Sequence, residues 1–257
     1  MGRGRSKAGG GGSSGGGKIN TPSGVSYQQF MKMSDSQKQG LMRQIINDPN
    51  IQVPGYLDSS DTTKVLYALG MNQKPTIVSD SQLDSIQGIE IYRTVYETGS
   101  MPPPSSSMVL DQIRNGDFTQ MSGKGGSAHG RAIYFATNFG DSSTYGMGEN
   151  NSLVMRAKIN PKANIRSEKS LRSQIANDPN WGGGNTRHDD IALYAVSHGI
   201  DGWYSGSYTM MVNRGVLTAS STNKAITQKL GRGGKLPKRA SSTNPYATSW
   251  TEAATKT

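Results

Sequence analysis

Residues 126–145 read GSAHGRAIYFATNFGDSSTY. They belong to a longer stretch, 122–148, in which a glycine-rich loop runs into RAIYFAT (131–137) and a polar segment then leads to Tyr145. Apolar and aromatic residues bounded by glycine and polar residues predict a strand over 131–137. Glycine lets a backbone approach a ligand closely, and Tyr134 and Tyr145, eleven residues apart, are suited to sandwiching a planar ring. The loop precedes a strand, so it lacks the strand–loop–helix order of a Rossmann fingerprint or a P-loop. Taken by itself, the stretch reads equally well as a surface loop beside a core strand.

Working outward, the chain from residue 89 onward is strand-like. IEIYRTVY (89–96) alternates, with Ile89, Ile91, Arg93 and Val95 on one side. SLVMRAKI (152–159), SYTMMVN (207–213) and GVLTAS (215–220) are further strand candidates. Helices are expected over 106–115, ending at Asn115-Gly116, and over 189–198, with Asp189 as cap and Gly199 as stop. Residues 26–88 form a helical N-terminal part. Tyr27, Phe30 and Met31 open an amphipathic turn, and Ser34 with Gln37 makes a capping box before Leu41, Met42, Ile45 and Ile46. Asp61 caps a helix carrying Val65, Leu66 and Leu69 with Gly70 in the stop position, and Ser79 with Gln82 starts another before Leu83 and Ile86. Short helices, few strands and long glycine-rich loops predict an α+β fold without internal repeats.

The chain has 257 residues and a formal net charge of +10, from 28 Lys+Arg against 18 Asp+Glu. That excess is confined to the ends. Residues 1–18 carry Arg3, Arg5, Lys7 and Lys18 and no acid, while 221–257 carry seven cations against Glu252, so 19–220 is neutral. Residues 1–25, which include GGGGSSGGG, and 221–257 are expected to be flexible basic tails, because they bury too little apolar surface to offset chain entropy. They read either as anchors for nucleic acid or another polyanion, or as solubilising flanks. The absence of cysteine excludes disulfides, thiolate zinc sites and a Cys nucleophile. His129, His188 and His198 lack metal-ligand spacing, so no metal is expected. No apolar run reaches the roughly 18 residues of a membrane span, and the N-terminus lacks the core of a secretory signal. A host-cytoplasmic or phage-particle location, with no membrane partner, is the expectation.

Two readings attach to each remaining candidate. Arg93 interrupts an apolar strand face, so it either meets a carboxylate, phosphate or ribose edge or faces solvent at a sheet edge. The cluster His188, Asp189, Asp190 is accounted for by helix capping. His129 is a loop histidine beside the glycine-rich stretch. His198 sits at a helix C-terminus, where positive charge is favoured. Trp203 and Tyr204 are expected in the core or at its rim, and Pro102–Pro104 form a stiff spacer.

The segment Gly126–Tyr145 resembles the signature G-x-x-x-G-x-G-I-Y-F-A, gap, S-x-x-Y of ADP-ribosyltransferases of the H-Y-E class, the poly(ADP-ribose) polymerase type, with Ala132 at the second inner glycine. IYRTVY is similar to the first core strand of that superfamily, with Thr94 where glycine usually follows the Arg or His. GIDGWYSGSYTMMVNRGVL resembles its closing strands, and the layout over about 26–220 looks like that of transferases carried by phages and mobile elements. The resemblance implies two small, mostly antiparallel sheets around an NAD+ cleft, preceded by a helical subdomain (26–88), with the transferase-like domain over 89–220.

It also implies roles. Arg93 would hold the adenosine side of NAD+. The Thr94 backbone and the Ser142 hydroxyl would hold the nicotinamide carboxamide. Tyr134 and Tyr145 would stack on the ring, and Gly130 would let the loop backbone approach the nucleotide. NAD+ would lose nicotinamide through an oxocarbenium-like ribose and pass ADP-ribose to an acceptor on a host protein. An acid near the 2′-hydroxyl would stabilise that transition state. With Tyr208 aligned to the family's E-Y-x-V, Ser207 stands at the acid's place, and no Asp or Glu lies within 202–220. Arg93, Tyr134 and Ser207 are then the residues expected to converge. Either another acid, such as Glu97, Asp141 or Asp201, reaches the site, or a substrate carboxylate or other polar group serves, or the domain binds without transfer. The competing expectation is a non-catalytic structural or virion protein of this fold, with basic tails on nucleic acid.

Overall fold

The computed structural model describes residues 21–53, 60–70, 74–97, 105–116, 129, 131–144, 150–181 and 188–226. Helices α1 (Tyr27–Met31), α2 (Asp35–Asn47) and α3 (Asp61–Ala68) come first. Strand β1 (Thr76–Val78), α4 (Asp80–Ser85) and β2 (Ile89–Glu97) follow. Next come α5 (Ser106–Asn115), β3 (Ile133–Ala136), α6 (Phe139–Thr144) and β4 (Asn150–Ile159). The chain continues through β5 (Ile165–Ser167), α7 (Glu168–Asn177) and α8 (His188–Ser197) to β6 (Gly202–Ser205), β7 (Tyr208–Met211) and β8 (Leu217–Ala225).

The helix starts follow their caps. Ser26, Ser34 and Ser79 each form a full capping box with the Gln three residues on. Each box satisfies backbone N–H groups that the first turn leaves without a partner. The cap of α3 is Ser60, one residue before the expected Asp61, which sits in the first turn where its charge favours the helix N-terminus. Helix α5 spans the expected range and ends at Gly116, whose φ of 82° is the left-handed conformation glycine supplies.

The fold is α+β, with one mixed eight-stranded sheet in the order β1-β8-β4-β2-β3-β7-β6-β5. The resemblance implies two small sheets, whereas all eight strands join in one. The continuous sheet comes closest to dividing in its middle. The β2–β4 ladder runs from Ile89–Ile159 to Glu97–Asn150, whereas β2 and β3 are joined, among the described residues, by the single pair Tyr92–Ala136. Each half holds four strands.

Strand alternation distributes side chains to two cores. Ile133 and Phe135 of β3 enter one with Met211, Ile91, Met155 and, from α5, Leu110 and Ile113. Ala132 lies in the other, where Tyr134 also packs, with Met210, Trp203 and residues of α2, α3, α7 and α8. Helices α1–α3 are thus docked on the β3–β7–β6 half, whereas the rest of the expected helical part, 26–88, contains a strand, β1, which pairs with β8, and α4, which packs on β8. Lys38 of α2 donates to the Ser197 carbonyl of α8 at 2.8 Å, and Ser23 to that of Ala68 at 2.6 Å. The flexible tail expected over 1–25 accordingly gives way to hydrogen-bonded chain by Thr21–Val25. Residues 1–20 and 227–257 lie outside the described residues, while β8 carries order past residue 220 to Ala225.

Candidate functional site

The narrow junction between β2 and β3 is where the quoted motif folds. After β3 the chain reverses because Asn138 caps α6. The Asn138 side-chain oxygen accepts from the Asp141 N–H at 2.7 Å, and its carbonyl accepts from the Ser142 N–H at 3.2 Å. This turn brings Ser142 over β2, where its hydroxyl lies 2.7 Å from that of Thr94. Beside them the Tyr92 and Phe139 rings meet edge to face at 5.9 Å. Phe139 is nearly half exposed, so the aromatic edge opens outward.

Across β3 the wall is built by Tyr134, Tyr208 and His129. Tyr208 pairs with Ala136 and with Ser205, so the two tyrosines belong to adjacent strands. His129 is held from three sides. Its N–H donates to the Tyr134 hydroxyl at 3.1 Å, its carbonyl accepts from the Trp203 indole N–H at 2.6 Å, and its Nδ1 lies 2.8 Å from Glu168 Oε2. The imidazole lies 6.4 Å from the Tyr208 ring, stacked at 23°, and 6.5 Å from the Tyr134 ring.

Glu168 begins α7, capped by Ser167. Its Oε1 accepts from Arg172 Nε at 2.8 Å and Nη2 at 2.6 Å, and Ser205 also hydrogen-bonds the carboxylate. Burial pushes this carboxyl up, but Ser205, Arg172 and His129 together outweigh it and hold it below the ordinary glutamate value. Burial also raises the Tyr134 phenol, despite the bond from the His129 N–H and the nearby Arg131 and Arg93.

The residues expected from sequence are partly brought together. Thr94, Ser142 and Tyr134 flank the β2–β3 junction. Arg93 reaches it from the other side of the sheet. It alternates with Ile91 and Val95 of the second core, is only 9% exposed, and donates to the Tyr134 carbonyl at 2.9 Å. Its guanidinium therefore bridges the narrow junction, instead of standing beside the Tyr134 ring. Ser207 is buried in the turn before β7, and its carbonyl accepts from the Thr137 N–H at 2.9 Å. Gly130 and Tyr145 lie outside the described residues.

The acids considered as substitutes are each engaged by other groups. Glu97 accepts from the Ser106 N–H and from Asn151 at the far end of β2. Asp201 accepts from Asn164 and Asn213. Asp141 is buried and accepts from Asn138 Nδ2 at 2.9 Å. The carboxylate beside Tyr134 and His129 is Glu168, which the sequence reading missed. Its one signal, Ser167-Glu168, is that of an ordinary helix start.

Among the described residues no His, Asp and Glu group could hold a metal ion, and no helix is long and apolar enough to cross a membrane. Comparison of the chain with protein-family models, curated proteins and solved structures returned no match.

Proposed function

We propose that the protein is an NAD+-dependent mono-ADP-ribosyltransferase that uses the residues gathered at the β2–β3 junction. One observation carries this reading. The resemblance assigns the Thr94 backbone and the Ser142 hydroxyl to the nicotinamide carboxamide, and these residues, 48 positions apart in sequence, meet through their side-chain hydroxyls at 2.7 Å. Their mutual hydrogen bond holds the Ser142 hydroxyl at the Thr94 position of β2, and a hydroxyl can both donate to and accept from a carboxamide. The half-buried Tyr134 and Tyr208 rings next to them offer apolar faces to a planar heterocycle. Two further features fit. The continuous sheet narrows, among the described residues, to one pair between β2 and β3, with four strands on either side. The helical N-terminal part precedes β2.

In this reading NAD+ is a substrate. Thr94 and Ser142 orient the nicotinamide, Tyr134 and Tyr208 exclude water from one side of it, and the C1′–N bond breaks with its electron pair leaving on nicotinamide. An acceptor group on a host protein then bonds to C1′. Arg93 keeps β3 in place by holding the Tyr134 carbonyl.

The test is titration of the protein with NAD+ in a calorimeter, alongside nicotinamide release. Ser142→Ala and Tyr134→Phe provide the comparison. Loss of the Ser142 hydroxyl should weaken NAD+ binding by about tenfold, the worth of roughly one hydrogen bond. Tyr134→Phe keeps the ring and should bind within about threefold of wild type, less than one hydrogen bond's worth. Absence of NAD+ binding by the wild-type protein overturns the proposal and leaves the non-catalytic reading.

A further inference from the structure

The reaction just proposed needs a proton acceptor, because an acceptor hydroxyl or a water that bonds to C1′ must lose its proton. Position 207 does not supply one, since serine is not a base at neutral pH. Glu168 is the obvious substitute, but both its oxygens are committed. Oε1 takes two N–H groups of Arg172 and Oε2 takes His129, with Ser205 added. A carboxylate so engaged, and only 11% exposed, is placed to orient its neighbours.

The neighbour with capacity left is His129. Its side chain is 36% exposed, and among the described residues its Nε2 has no hydrogen-bond partner. A carboxylate on Nδ1 can only accept, so it fixes the proton there and leaves the lone pair on Nε2. The ring lies 6.4 Å from the Tyr208 ring and 6.5 Å from the Tyr134 ring, and its backbone is fastened at both ends by Tyr134 and Trp203. A loop residue anchored from β3, β6 and α7 together is oriented in advance of any substrate, as a general base must be.

We infer that His129 is the general base of the site and that Glu168 is its positioning residue. The inference rests on the transferase reading. The acceptor's lone pair forms the bond to C1′, the C1′–N bond breaks and its electrons leave with nicotinamide, and the acceptor's proton passes to His129 Nε2 and then to solvent. The arrangement is one in which a base is directed by a third group.

The experiment uses the full chain with NAD+, and with water as the acceptor. Nicotinamide release and calorimetric NAD+ binding are measured for wild type, His129→Ala, His129→Gln and Glu168→Gln. Both His129 variants should lose about 10²-fold or more in kcat, the usual worth of a general base, while binding NAD+ within about twofold of wild type. Added imidazole should restore part of the His129→Ala rate, which a purely structural role would not allow. The amide of Glu168→Gln can donate as well as accept. That variant should therefore lose kcat without losing NAD+ affinity, and nitrogen-15 spectra should show His129 no longer held in one tautomer.

An active wild type whose His129→Ala and His129→Gln variants keep their rate within about twofold overturns the dyad alone. Variants that lose NAD+ binding in step with rate also overturn it, because His129 would then serve only the fold. A wild type that neither binds nor cleaves NAD+ overturns the transferase reading and the dyad with it.

Discussion

Glu168 illustrates how one buried carboxylate ties the site to stability. Its carboxyl titrates below the ordinary value of 4.5 in the folded chain, so the folded state binds that proton less readily than the unfolded one does. The stabilisation is complete above the unfolded value and disappears as pH falls through the lower, folded one. Thermal unfolding followed from pH 7 downward should show the wild type losing its advantage over Glu168→Gln in that acid window, and a constant difference across it would refute this. The same residue shows what sequence could not reveal. Nothing in RSEKS distinguishes a residue beside the candidate site from a helix start, because the meeting of Glu168 with His129, 39 positions away, is made by the pairing of β5 with β6. Arg93 is the opposite case. Sequence placed it correctly on a face with Ile91 and Val95. That same period-two alternation separates its side chain from Tyr134 on the neighbouring strand, so strand order alone could not bring the two together.

At the level of elements, local chemistry was legible wherever it was strong. The boxes at Ser34 and Ser79, the stop at Gly116 and the span of α5 follow directly from caps and periodicity. Three-residue strands β1 and β5 carry too few residues to alternate. Helix α6 contains a single large apolar residue, and α7 contributes only Leu171 and Ile175 to the core, so neither declares a period. Tertiary packing forms these elements. Two glycines make the contrast measurable. A Cβ on Gly202 of β6 would lie 2.5 Å from the Met210 carbonyl oxygen and 2.8 Å from Met211 Sδ, whereas one on Gly40 of α2 meets nothing. Gly202→Ala should therefore destabilise by about 2 kcal/mol or more, since β6 must move off β7. Gly40→Ala should stabilise by roughly 0.5–1 kcal/mol through helix propensity. Urea unfolding of the two variants decides both, and equal effects would contradict the packing described for β6 and β7.

For the whole molecule, the division of charge is the main legible feature. The described body is nearly neutral, and the excess of positive charge lies in 1–20 and 227–257. If those segments hold the protein on a polyanion, the full chain should be retained on immobilised DNA at low salt and released steeply as salt rises. A chain limited to 21–226 should flow through under the same conditions. Equal retention of the two would assign the contact to the body. The fold class was likewise readable from composition and texture. The number of sheets was not, because whether two sets of strands fuse depends on the last few pairings at their shared edge.

That edge has a mechanical meaning. Two sets of four strands meet there, among the described residues, at one backbone pair, Tyr92–Ala136, and the Arg93 guanidinium crosses it to the Tyr134 carbonyl. The other ties across it are also made by side chains: the Thr94–Ser142 hydrogen bond, the Tyr92–Phe139 ring contact and the core shared by Ile91, Ile133 and Phe135. Side chains therefore stand in for most of the backbone ladder at this seam.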